Sequence, residues 1–131
     1  FGLPEVGFAL VPDTGATQLL PRLIGPGRAK LMIIGGQRID AATAYEWGLV
    51  EQLVQPDELD DVALTLAKKV ASLSPLAVGM AKGLIDQAHS GSFRDGLVGE
   101  LNAQVAMFTS ADYQESKTAR REGRAPHYEG R

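Results

Sequence analysis

At 131 residues, with 44% apolar and 22% charged side chains, the chain is about one domain long and has the composition of an ordinary globular protein. A net charge of −3 argues against a general nucleic-acid binder, and no apolar run approaches the roughly 18 residues of a membrane-spanning helix, so neither nucleic acid nor membrane is an expected partner. The absence of cysteine excludes disulfides, thiolate nucleophiles and Cys-ligated zinc. The two separated histidines, His89 and His127, predict no metal site, and a cytoplasmic location is the default expectation.

In chain order, Phe1 to Val11 is apolar and interrupted by Gly2, Pro4 and Gly7, a pattern that predicts a short strand with an irregular loop. Pro12 to Gly15 reads as a turn. Leu19, Leu20, Leu23 and Ile24 then recur at helical spacing, with Pro21 expected to kink that helix or to start a second segment. Gly25-Pro26-Gly27 breaks the chain, and residues 28–34 predict another helix, closed by Gly35-Gly36. Asp40 is placed to cap a helix over 41–47 that Gly48 stops, and residues 49–54 are the one later stretch with the character of a strand.

From Pro56-Asp57 onward the pattern is helical throughout. Leu59, Val62, Leu66, Val70 and Leu73 form one apolar stripe. Ser74-Pro75 is a cap followed by proline at the first helical position, and it opens a second stripe of Leu76, Met80, Leu84 and Ala88. A helix after Ser92 carries Leu97, Leu101, Val105 and Phe108, and Ser110 caps a last helix that runs to about Arg121. These stripes exceed what so short a chain can bury by itself, which predicts packing against another part of a longer protein or against other subunits. The start at Phe1, apolar and without methionine, reads as a cut from something longer.

Two carboxylates stand out as candidates for chemistry, Glu5 and Asp13. A carboxylate at a turn before a helix is exposed by the turn and held by its flanks, as catalytic groups often are. The same Asp13, ahead of Thr14-Gly15, is also an ordinary helix cap, and Glu5 is equally readable as a loop carboxylate held by backbone amides. Lys117, Arg120, Arg121 and Arg124 form a basic cluster that reads either as a solvated helix end or as a phosphate contact. Gly15 has a similar pair of readings, a turn requiring positive φ or a close approach to a ligand, and Trp47 is either a helix-end core residue or a pocket wall.

The segments Phe1-Gly-Leu-Pro-Glu-Val6, Pro12-Asp-Thr-Gly-Ala-Thr-Gln-Leu-Leu-Pro-Arg-Leu-Ile-Gly25, Gly36-Gln-Arg-Ile-Asp-Ala41, Ala44-Tyr-Glu-Trp-Gly-Leu-Val50 and Arg124-Ala-Pro-His-Tyr-Glu-Gly130 together resemble the crotonase superfamily, the enoyl-CoA hydratase/isomerase enzymes. The resemblance covers the C-terminal half of the family's domain. It implies an α/β parent fold, the crotonase-like ββα spiral, of which this chain is the mostly helical part. Residues 1–56 would be the end of the spiral core with part of the acyl-CoA pocket, and 57–131 the helical region used for trimer assembly. The half that the resemblance leaves out would hold the oxyanion-hole amides, much of the coenzyme A site and another catalytic glutamate, so the chain alone is expected to be inactive.

Carried over residue by residue, the resemblance makes Glu5 the glutamate that works on water addition across an α,β-unsaturated thioester. Asp13 stands where hydratases usually have glycine. An Asp there resembles the Δ3,Δ2-enoyl-CoA isomerases, the ring-opening isomerases of phenylacetate breakdown and the 4-chlorobenzoyl-CoA dehalogenase. Pro12, Gly15 and Trp47 would line the acyl pocket. Arg120 and Arg124 would contact coenzyme A, although the family's lysine in a Glu-Lys-Arg sequence is replaced by Glu122-Gly123-Arg124. No cofactor is implied beyond the coenzyme A thioester that serves as substrate. The expected partners are the missing N-terminal half and further copies in a homotrimer or a dimer of trimers. A non-catalytic assembly module is the alternative of a different class.

Overall fold

The computed structural model describes all of residues 1–131 and divides into two compact units, Phe1–Leu59 and Asp60–Arg131. The first unit begins with a 3-10 turn at Glu5–Phe8, followed by helices α1 (Ala16–Ile24), α2 (Pro26–Ile33) and α3 (Ala41–Trp47), and a 3-10 turn at Pro56–Glu58 precedes α4 (Leu59–Ala71). The second unit contains nearly all of α4 together with α5 (Pro75–Gln87), α6 (Phe93–Thr109) and α7 (Ala111–Glu122). No single helix is long and apolar enough to cross a membrane.

Neither expected strand forms. Within 1–11 the backbone winds into the turn at Glu5–Phe8, where Gly7 N–H donates to Pro4 O at 3.0 Å and Leu10 N–H to Glu5 O at 3.0 Å. Residues 49–54 leave α3 through Gly48, a left-handed residue at φ 75°, and Leu49 N–H turns back to Ala44 O at 2.8 Å. A strand exists only as one side of a ladder. The one reciprocal backbone pair that either run makes joins Phe1 and Ile39, with N to O distances of 2.7 and 2.9 Å.

The helix signals, being local, are realised more closely. Asp40 accepts a hydrogen bond from Thr43 N–H at 2.8 Å, and Ser74, Ser92 and Ser110 cap α5, α6 and α7 through Ala77, Asp95 and Tyr113 N–H. Each satisfies a donor that a helix start would otherwise leave free. α2 begins earlier than expected because Pro26 takes its first position, where the missing N–H costs nothing. α1 runs unbroken through Pro21.

The core of the first unit is Leu20 and Ile24 of α1, Ala29 and Met32 of α2, Ile39, and Ala44 of α3, with Leu3, Ile33, Trp47, Leu49 and Val50 packed around it. α1 and α2 supply the main helix contact of this unit, and in the loop before α1 Pro12 is buried while Asp13 is exposed. In the second unit α6 packs on both α5 and α7, yet α4, α5 and α6 bury no residue completely. The apolar stripes read from the sequence remain open: Leu66 is 50% exposed, Leu101 63% and Val105 58%.

Candidate active site

Glu5 stands half-buried in the first turn of the 3-10 segment, directly after Pro4 at φ −86° and ψ 0°. Its Oε2 is buried and has no hydrogen-bond partner. The reading of Glu5 as a loop carboxylate held by backbone amides therefore fails for this oxygen. Buried polar atoms are nearly always paired, so an unpaired carboxylate oxygen marks Glu5 as a group whose partner lies outside this chain.

Asp13 follows the buried Pro12 and is itself exposed. It does not cap α1: the N-cap is Gly15, and no side chain accepts a bond from the first turn. Gly15 takes φ 88°, a left-handed conformation that a Cβ would strain, and this requirement alone accounts for glycine at that position. The turn thus leaves the Asp13 carboxylate without a local structural task.

The remaining residues fall in separate places. Trp47 is half-buried against the core, with the Arg28 guanidinium 5.1 Å from its ring centroid, a packing and cation–π role that locks the end of α3 to α2. Two open clefts flank this region, one of about 450 Å³ beside Val6, Phe8, Ile34 and Arg38, the other of about 340 Å³ beside Phe1, Leu19, Leu23 and Met32. Neither cleft is lined by Glu5, Pro12, Asp13, Gly15 or Trp47.

In the second unit the two arginines differ. Arg124 is engaged: its Nη1 and Nη2 donate to Glu115 at 2.5 and 3.0 Å, and its Nε donates to Glu122 at 2.8 Å. The Arg124 guanidinium, together with His127 N–H, holds the Glu115 carboxyl down to about 2 from its usual 4.5. Arg120 is exposed and makes no ion pair.

Asp112 and Glu115 were not legible as special. Asp112 is 3% exposed, and its carboxylate accepts from Ser74 Oγ at 2.6 Å and from Glu129 N–H at 2.8 Å. The Ser74 hydroxyl above all, with the Glu129 and Gly130 N–H groups, holds this carboxyl below its usual range against the opposing effect of burial. In the sequence it looks like any acid in a helix's first turn.

Comparison with known proteins places this geometry. The family profile described as enoyl-CoA hydratase/isomerase matches residues 1–131. The short-chain-enoyl-CoA hydratase of Clostridium acetobutylicum is 38% identical over 119 residues, which is 91% of this chain and 46% of that protein. The crotonyl-CoA hydratase of Syntrophomonas wolfei is 35% identical over 128 residues, covering 98% of this chain and 49% of that protein. The crystal structure of an enoyl-CoA hydratase from Bacillus anthracis matches with a TM-score of 0.94 at 42% identity, over 99% of this chain and 50% of that one. The chain spans about half the length of the curated relatives it matches.

Proposed function

Because the chain belongs to the enoyl-CoA hydratase/isomerase family, we propose that it contributes one part of an acyl-CoA-processing site working through a thioester enolate, with Glu5, Asp13 or both as acid/base groups. The observation that supports this reading is the buried, unpaired Oε2 of Glu5 within the Phe-Gly-x-Pro-Glu motif. A carboxyl free of local hydrogen bonds is available to a substrate or a water. Adding water across an α,β-unsaturated thioester requires a proton to be delivered at the α-carbon while the thioester oxygen carries enolate charge. Glu5 would handle proton transfer in hydration. Asp13, which caps nothing, would move a proton between the α- and γ-carbons in double-bond migration.

The chemistry draws on no cofactor beyond the coenzyme A of the substrate. With Arg124 committed to Glu115 and Glu122, Arg120 is the better candidate for a coenzyme A phosphate contact. The open apolar faces of α4, α5 and α6 support an assembly role for 57–131. A homotrimer or a dimer of trimers in the cytoplasm completes the proposal.

The test is a panel of acyl-CoA thioesters given to the full-length protein and assayed for both hydration and double-bond shift. Glu5→Gln should lower hydration by about 100-fold, within the range of a lost general acid/base group. Its folding should be intact, since Oε2 holds no hydrogen bond. Full hydration activity in that variant would remove Glu5 from the chemistry.

A further inference from the structure

Gly123, at φ 69°, ends α7 and turns the chain back so that residues 124–131 run along the helix they have just left. Arg124 N–H donates to Ala119 O at 3.1 Å, and the Arg124 side chain and His127 N–H both reach Glu115. Farther along, Glu129 and Gly130 N–H donate to Asp112, and Asp112 N–H returns a bond to Arg131 O at 3.1 Å. Gly130 takes φ 76°, a conformation that presents its N–H to Asp112 and that a side chain would strain. An ideal Cβ built there lies 3.6 Å from Pro75, the first residue of α5.

Asp112 also reaches α5. Ser74 Oγ donates its only proton to Asp112 Oδ2 at 2.6 Å and accepts from Ala77 N–H at 3.3 Å. A hydroxyl has one donor and two lone pairs, so donation to a carboxylate orients and polarises the oxygen that caps the helix. The carboxylate itself accepts only, and it is nearly fully buried. If the strap donors leave, their share of its charge is unmet, and the Ser74 hydroxyl and the α5 start must readjust.

We infer that residues 124–131 form a strap whose docking on α7 is coupled through Asp112 to the N-terminal cap of α5, so that displacement of the strap is felt at Ser74 and Ala77. The two ends are 38 residues apart at Ser74 and Asp112 and a further 18 at Gly130. The coupling rests on one buried carboxylate shared by three chain segments, and it stands whether or not the catalytic reading above holds.

The experiment is amide hydrogen exchange on the full-length protein, with Val105 in α6 as an internal reference. Gly130→Pro removes the N–H donor and forbids the positive φ, which displaces the strap without deleting it. Exchange at Ala77 should then rise roughly tenfold while Val105 is unchanged. Coupling is reciprocal, so Ser74→Ala, made far from the strap in sequence, should raise exchange at Glu129 and Gly130. Faster exchange at Glu129 in Gly130→Pro with Ala77 unaltered would overturn the proposal, because the strap would then move alone. If Gly130→Pro loosens Val105 as well, the Ser74→Ala arm decides: unchanged exchange at Glu129 and Gly130 refutes the coupling, and faster exchange there supports it.

Discussion

Replacing Asp13 by Asn separates chemistry from structure with little ambiguity, because the fold gives this side chain no structural task. It is exposed, it lies outside the cap of α1, and Gly15 supplies the turn conformation. Loss of a side-chain N-cap costs about 1 kcal/mol, enough to lower Tm by roughly 2–4 °C in a protein of 150–250 residues. An exposed substitution away from such a feature stays within about 0.5 kcal/mol, so Asp13→Asn should shift Tm by less than about 2 °C. Asn keeps the shape and removes the titratable carboxyl that could accept and return a proton. If Asp13 carries protons between the α- and γ-carbons, double-bond migration should fall by about 100-fold, equivalent to about 2.7 kcal/mol of barrier. The assay follows conversion of a 3-enoyl to a 2-enoyl thioester by full-length protein through the absorbance of the conjugated product, alongside thermal unfolding of the same samples. Undiminished migration, or a loss matched by a fall in Tm of several degrees, would refute a catalytic Asp13.

The other expectations are structural. Met32 is 2% exposed among Leu20, Ile24 and Ile39, and Met32→Ala removes three buried heavy atoms. At about 0.8 kcal/mol for each methylene-sized group, plus a cavity term, the loss is about 3 kcal/mol, to be read from chemical denaturation; a change below about 1 kcal/mol would mean that this core collapses around the gap. The Glu115 carboxyl titrates at about 2 in the fold against 4.5 as a free group. Its contribution is present in full above about pH 4.5 and is lost as pH falls toward 2, so Glu115→Gln should make the acid limb of the Tm–pH curve shallower in that window. An unaltered slope would show that the pair contributes nothing to folding. With Leu101 and Val105 more than half exposed, the 131-residue chain should self-associate at micromolar concentration. Light scattering from a stable monomer would contradict that.

Much of the helical framework was written locally. Asp40, Ser74, Ser92 and Ser110 bond N–H groups three residues ahead, Pro75 sits at a first helical position, and Gly48 and Gly123 take the left-handed conformation that ends a helix. Such signals act within one turn, so neighbouring residues suffice to read them. The family was also legible from ordered motifs, and the match over residues 1–131 agrees.

Tertiary structure decided what depends on distant partners. The apolar runs at 1–11 and 49–54 had the composition of strands but found no ladder within the chain. Asp13 carried the sequence signature of a cap, yet the turn gave that position to Gly15. Whether a carboxylate is paired depends on donors that folding brings to it. Glu5 Oε2 is buried with none, while Asp112 collects donors from residues 38 positions before it and 17 and 18 after it. Arg124 is one cation of a basic cluster in the sequence, and in the fold Glu115, nine residues away, holds it. Helix propensity and capping act over a few residues and survive in the linear code, whereas burial and charge pairing are properties of the assembled chain.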